Sequence, residues 1–215
     1  MAVLISGANR GIGRGIFDHY HATGSPIIGT SRKGAAPFEH LDVCDDASLA
    51  ALADRLQDTP IDLLICNAGV YLDKADSLDT GFTADKWAQT FAANVTGVFQ
   101  TVQTLLPNLR QAKHAKIAII SSQMASHTNA NGGSYAYRAS KAASLNLGRN
   151  LATDLRHDGI AVGIYHPGWV VTDMGGSGAE ISVDASVAGL TARFADLSMA
   201  TTGCFLNWDG SAQTY

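Results

Sequence analysis

The chain has 215 residues, enough for one domain with a sizeable core. Its apolar fraction of 46% is ordinary for a globular protein, and no apolar run approaches the ~20 residues that a membrane-spanning helix needs. A formal net charge of -4 provides no basic footprint for non-specific nucleic-acid binding. The opening "MAVLISGANRG" has no basic segment and reaches glycine-rich sequence after a few apolar residues, which leaves no room for a signal peptide. A cytoplasmic protein with no membrane or nucleic-acid partner is therefore expected. Cys44, Cys66 and Cys204 are widely spaced with no C-x-x-C, pointing to reduced, mostly buried thiols. The histidines show no metal-ligating spacing, so no metal site is expected.

In chain order, the apolar pattern changes period repeatedly. "AVLIS" (2–6) reads as a buried strand, and a helix is expected over 12–22. "PIIGT" (26–30) is the second strand and "FEHLDV" (38–43) a weaker third. The segment between them is too short for a good helix. A helix over 46–57 precedes the strand "IDLLICN" (61–67). Next comes a long helix over 84–111, where Trp87, Phe91, Val95, Val98 and Val102 recur at steps of three or four. The strand "KIAIISS" (116–122), a helix over 136–157, the strand "IAVGIYH" (160–166), a helix over 183–198 and the strand "GCFLN" (203–207) complete the chain. Strands that are apolar throughout and alternate with helices predict an α/β fold. About seven strands form one doubly wound parallel sheet covered by helices on both faces. With no repeat or linker, residues 1–215 are expected to be one domain. The irregular segments 68–83, 123–134 and 172–182 each follow a strand, where ligands bind in such sheets.

"ISGANRGIGRGIF" sets Gly7, Gly11 and Gly13 between the first strand and the first helix. Glycines there permit a tight turn and let a phosphate approach the N–H groups of a helix start. Strand before and helix after point to a dinucleotide site. An NAD site expects an acid roughly 20 residues on, to bind the ribose 2′-hydroxyl. No Asp or Glu lies between Asp18 and Glu39. Ser31, Arg32 and Lys33 end the second strand instead, and Arg10 lies within the turn. Cations and a hydroxyl suit a 2′-phosphate, so the expected cofactor is NADP(H).

In "GGSYAYRASKAA", Tyr137 and Lys141 are four apart and share a helix face, whereas Tyr135 is six from the lysine and splayed away. Together with "SGANRGIG", "LDV", "NAG", "NVTGVF", "IISS" and "HPGWVVTDM", all in order, this Tyr-x-x-x-Lys resembles the short-chain dehydrogenase/reductase family along essentially the whole chain. The details of "GGSYAYRASKAA" and "HPGWVVTDMGG" look most like the sniffer-type carbonyl reductase and C-factor-like branch.

The resemblance implies a Rossmann-type domain and an NADP(H)-dependent enzyme interconverting a carbonyl and an alcohol. It implies cofactor contacts from Gly7, Asn9, Arg10, Gly11, Ile12 and Gly13, from Ser31 and Arg32, and from Asp42 and Val43 beside adenine. Asn67, Ala68 and Gly69 would follow, with Pro167, Gly168, Val170 and Thr172 beside the nicotinamide. Tyr137 would exchange the proton and contact the cofactor, Lys141 would lower its pKa and bind the ribose, and Asn94 would hold a relay water. A cation within a few ångströms favours phenolate and lowers a tyrosine pKa by about 1–3 units. A serine ending the fifth strand would orient the carbonyl. Ser122 is the first choice and Ser121 the alternative, since adjacent strand residues face opposite ways. His166, before a turn proline, is read as structural.

The short, glycine-containing segment 172–182 predicts a mobile substrate lid that encloses little, and "SHTNANGGS" predicts polar rather than greasy walls. A modest-sized carbonyl or alcohol is the expected substrate. An NADP(H)-binding sensor or signalling protein on the same fold is the alternative. Apolar residues around the two long helices, including Phe99, Leu105, Leu145 and Leu151, predict a homodimer, with a tetramer as the other option.

Overall fold

The computed structural model describes residues 1–215. Seven parallel strands make one sheet in the order β3-β2-β1-β4-β5-β6-β7. They are β1 Val3–Ile5, β2 Ile27–Ser31, β3 Glu39–His40, β4 Leu63–Cys66, β5 Lys116–Ile120, β6 Ala161–His166 and β7 Phe205–Asn207. The order reverses between β1 and β4, so a crevice opens beyond their carboxyl ends.

Alternation along the strands decides which helix covers which face. Val3 and Ile5 of β1 and Leu63 and Ile65 of β4 point to one side. There they meet Ile16, Phe17 and Tyr20 of α1 (Gly11–Ala22) and Val187, Leu190 and Phe194 of α6 (Val183–Asp196). Leu4, Leu64, Ile117, Ile119, Val162 and Ile164 point to the other. They are covered by α2 (Asp46–Leu56), α4 (Gly97–Gln111) and α5 (Tyr135–Asp154). The fold is the doubly wound, Rossmann-type α/β arrangement.

Three expectations change. The helix over 84–111 is α3 (Ala84–Phe91), a π-helical turn at Ala92–Thr96, and then α4. The π turn carries Asn94 into the crevice, and Gly97 follows it because a Cβ there would stand 2.8 Å from the Val43 carbonyl. The apolar residues invoked for a subunit contact are mostly internal: Leu105, Leu145 and Leu151 belong to the protomer's own core, and of the four only Phe99 is exposed, at 39%. The outer face of α5 shows Arg149 and Asn150 instead, with Arg156 exposed just beyond its end. Cys44 is exposed rather than buried, because its strand ends at His40. No helix is long and apolar enough to cross a membrane.

His166, at the end of β6, is 8% exposed and its Nδ1 has no hydrogen-bond partner. Burial pushes its imidazole from 6.5 down to about 4, with Asp209 pulling slightly the other way. The folded protein thus binds fewer protons than the unfolded chain between those values. Stability is complete above pH 6.5 and falls as pH drops toward 4, by about 3 kcal/mol over the window. Urea unfolding of wild type and His166→Gln at pH 7.5 and pH 4.5 should show the wild type losing more on acidification. Equal losses would remove His166 as the cause.

Candidate active site

The glycine turn is built by mutual exclusion. Gly7 has φ +70°, and a Cβ on it would sit 3.0 Å from Ala68 Cα. A Cβ on Gly13 would run into the Gly7 carbonyl and the Asn67 amide. Asn67 Nδ2 donates to the Ser6 and Gly7 carbonyls, each at 3.0 Å, and Ser6 Oγ accepts from the backbone N–H of Asn67 and Ala68. The end of β4 therefore clamps the end of β1. Asn9 and Arg10 are exposed at the turn, and Gly11 and Ile12 begin α1. The first turn of α1 has no side-chain cap and no acidic residue, so its N–H groups face the crevice without a protein partner of that kind.

Beside this helix start, Ser31 is buried while Arg32 and Lys33 are exposed. Arg32 forms no ion pair, whereas Arg10 Nη1 lies 3.4 Å from Asp173 across the crevice mouth. Asp42 accepts from the Cys44 N–H and Val43 is buried. An uncapped helix N-terminus beside close-packed glycines suits the pyrophosphate of a nicotinamide dinucleotide.

Further along the crevice, α5 presents Tyr137 and Lys141, both buried. Lys141 Nζ donates to the Ile120 carbonyl at 2.9 Å and lies 5.7 Å from the centre of the Tyr137 ring. Ser122 is adjacent to the phenol and its Oγ also accepts from Met124 N–H. Ser121 instead faces the backbone of α5, donating to the Lys141 carbonyl at 3.3 Å. Of the two serines, Ser122 stands beside Tyr137.

The electrostatics differ from the sequence expectation. Burial raises the Tyr137 phenol well above the usual tyrosine value, hydrogen bonding by Ser122 lowers it, and Tyr71 and Asp73 add to the rise. Burial also pushes the Lys141 ammonium down to about 8. The lysine therefore does not by itself bring the phenol toward neutrality: desolvation of the buried pair outweighs their attraction. Its Nζ is aimed at a carbonyl rather than at the phenolic oxygen.

Asn94 is buried and heavily engaged. Its Oδ1 accepts from Val70 N–H at 2.8 Å, and Nδ2 donates to the Val70 carbonyl and to Ser140 Oγ. Ser140 Oγ in turn donates to the Tyr137 carbonyl at 2.7 Å. Both amide hydrogens are thus committed, leaving a relay water only a lone pair of Oδ1 or the backbone. Gly69 stands between this amide and Lys141, since a Cβ there would be 3.0 Å from Asn94 Oδ1 and 3.7 Å from Lys141 Nζ.

At the far wall, the buried Pro167 accepts from Ser186 Oγ through its carbonyl, and Gly168 turns the chain with φ +87°. Val170 is buried and pairs with Ile181. Thr172 has its methyl 3.4 Å from where a Gly11 Cβ would be, while its hydroxyl accepts from Gly175 N–H within its own turn.

The segment 172–182 is more firmly tied than expected. Lys74 Nζ donates to the Met174 and Gly175 carbonyls, Trp169 Nε1 donates to the Gly175 carbonyl, and Asp173 meets Arg10. The polar segment 126–134 is exposed from His127 to Gly133, and apolar side chains stand on other segments. Leu72, Trp169, Val171 and Met174 are exposed on segments 68–83 and 167–182, and Tyr135 is exposed edge-on to Phe82 at 5.1 Å. Sequence reasoning overlooked Tyr71, Asp73 and Lys74. Nothing in their local pattern sets them apart, and their role exists only in the folded arrangement.

The sequence matches the family model described as short chain dehydrogenase over residues 1–180. The chain belongs to the short-chain dehydrogenase/reductase family. It is 37% identical over 169 residues to the C-signal protein of Myxococcus xanthus, covering 76% of this chain and 98% of that one. Among solved structures, an NADPH-bound carbonyl reductase from chicken fatty liver superposes with a TM-score of 0.91 at 31% identity, over 100% of this chain and 98% of the other. The carbonyl reductase Sniffer of D. melanogaster gives a TM-score of 0.87 at 26% identity, over 100% and 99%. The resemblance to the sniffer and C-factor-like branch is thereby supported from both sequence and structure.

Proposed function

We propose that the protein is a cytoplasmic, single-domain NADP(H)-dependent reductase that interconverts a carbonyl and an alcohol. The observation that carries this reading is the convergence of Tyr137, Lys141 and Ser122 on one crevice with the uncapped start of α1. NADPH, when bound, supplies the hydride. Gly7 to Gly13 would hold its pyrophosphate, with Asn9 and Ile12 alongside. Arg10, Ser31 and Arg32 would hold the 2′-phosphate, and Asp42 and Val43 the adenine. Asn67, Ala68 and Gly69 shape the floor, and Pro167, Gly168, Val170 and Thr172 the wall beside the ring.

The chain's own residues perform the proton chemistry. Ser122 donates a hydrogen bond to the substrate oxygen and orients it. Tyr137 gives its proton to that oxygen as the alkoxide forms, because a neutral phenol held at an elevated pKa is fully protonated at working pH. Lys141 then favours the phenolate left behind, and its own lowered pKa, about 8, lets it return a proton from solvent. The exposed apolar rim of Leu72, Trp169, Val171 and Met174 favours a substrate with an apolar body attached to its carbonyl.

Arg32→Ala should weaken NADPH binding by about 10- to 100-fold, the value of a charge-assisted hydrogen bond, and leave NADH binding unchanged. Fluorescence titration with both cofactors reads this, and equal losses for the two would contradict a 2′-phosphate contact. The reading as a whole is tested by NADPH oxidation across aldehydes, ketones, quinones and α-dicarbonyls.

The similarity to the C-signal protein favours a second reading, an NADP(H)-binding signalling or sensor protein. Tight NADPH binding with no turnover across the panel would favour it. The homodimer, or a tetramer, now rests on the family resemblance, and light scattering at several concentrations tests it.

A further inference from the structure

Helix α5 starts in an unusual way. Gly132, Gly133 and Ser134 are all left-handed, with φ of +73°, +67° and +49°. Ser134, at the cap position, contributes no side-chain cap, because its hydroxyl is bonded to the Tyr71 hydroxyl. The orphan N–H groups of the first turn would otherwise lack a partner. A carboxylate from elsewhere in the chain fills the place: Asp73 Oδ2 accepts from Ala136 N–H at 2.8 Å and from Tyr137 N–H at 3.4 Å.

Asp73 is 0% exposed, and its Oδ1 has no hydrogen-bond partner. No cation is paired with it, so the start of α5 is the only positive pole offsetting a buried carboxylate. That is a costly arrangement for a cap that Ser or Thr at position 134 could supply locally. The same short segment holds Tyr137 twice more. Tyr71 stacks on its ring, centroids 4.1 Å apart and planes 21° apart, and Val70 is fixed by Asn94, which reaches the Tyr137 carbonyl through Ser140.

We propose that Asp73 is a positioning residue for the catalytic tyrosine: it caps α5 on Tyr137's own N–H, fixes where the phenol is presented, and stands a negative charge behind it. This rests on the reading of Tyr137 as proton donor. The titratable or charged groups facing Tyr137 are Tyr71 and Asp73 from segment 68–83 and Lys141 from α5 itself, with the neutral Ser122 hydroxyl after β5 as a hydrogen-bond partner. Asp73 and Tyr71 oppose phenolate, so removing the Asp73 charge makes the phenol ionise at lower pH.

The test compares wild type, Asp73→Asn and Asp73→Ala. Asn retains an oxygen acceptor for the cap and removes only the charge, so it stays folded where Ala fails. Where it folds, Asp73→Ala, which loses the cap, should lower kcat about tenfold with KM and NADPH affinity near wild type, because a displaced proton donor is felt in the chemical step, whereas Asp73→Asn should hold its kcat at neutral pH. The alkaline limb of its kcat profile should move to lower pH by about half a unit or more. A merely structural cap would reduce Tm and leave that limb in place.

A second readout needs no turnover. Tyrosinate absorbance is titrated with and without NADP+, and the Tyr137→Phe trace is subtracted to isolate Tyr137. A lower midpoint in Asp73→Asn supports the proposal, and an unchanged midpoint overturns it. Wild type with no turnover but with that shift would defeat the reductase reading and leave the placement of Asp73 standing.

Discussion

Tyr137→Phe is expected to lower kcat by about 10²- to 10⁴-fold, the usual contribution of a positioned general acid. NADPH affinity should hold near wild type, because the change removes one buried hydroxyl and leaves the ring stacked on Tyr71. The control is Tyr135→Phe, whose ring is exposed at the rim against Phe82. It should keep wild-type kcat with at most a change in KM. If both variants turn over alike, the proton comes from elsewhere and the role of the Tyr137–Lys141 pair fails. The pH dependence has a definite sign. Burial holds the Tyr137 phenol above the usual tyrosine value, so its titration should not curtail reduction near neutral pH. An inflection nearer pH 8 would instead report Lys141, whose ammonium is pushed down to about 8.

The second large effect falls on the glycine turn. Gly13→Ala places a Cβ against the Gly7 carbonyl and the Asn67 amide, both parts of the clamp between β1 and β4. Neither is the flexible end of a long side chain, so the turn itself must shift. The cost should be about 3 kcal/mol, in the range for overpacking a rigid site. In a protein of this size that lowers Tm by roughly 6–12 °C. NADPH affinity should fall with it, since the amides at the start of α1 move. Gly178→Ala provides the comparison: the nearest atoms to its Cβ are in the Trp169 ring at 3.9 Å, ordinary contact. Calorimetry and NADPH fluorescence on the two variants decide the matter, and equal Tm values would show that the turn relaxes at little cost.

Much of this architecture could be read from the sequence because it is written in short periods. Each of the strands expected from 2–6 to 203–207 has a counterpart in the sheet, including the brief Glu39–His40, since runs apolar on both faces have few other homes. A spacing of four sets Tyr137 and Lys141 on one helix face whatever packs around them. The choice between Ser121 and Ser122 stayed open because neighbours on a strand differ only in face. Here Ser121 is committed to the backbone of α5 and Ser122 lies at the phenol. What stayed hidden depends on distance along the chain. Asp73 caps an N–H 63 residues away, and Lys74 reaches carbonyls about 100 residues on. The direction of the Tyr137 shift was also out of reach, because spacing reports a cation's nearness and not how dry the pair is. Leu105, Leu145 and Leu151 misled in the opposite way. An apolar helix face looks the same whether a neighbouring helix or a second subunit covers it.

The π turn at Ala92–Thr96 works as a gear tooth between two halves of one rod. One residue more than an α-helical turn needs advances everything after it by about 100° around the axis. With it, α3 sets Trp87 and Phe91 on one side, while α4 delivers Val98, Val102, Leu105 and Leu109 to the core. Asn94 sits on the tooth and faces the crevice. Deleting a single residue between 92 and 96 would restore an unbroken α-helix and turn α4 out of mesh. The register of α4 against the core therefore depends on the residue count of this turn.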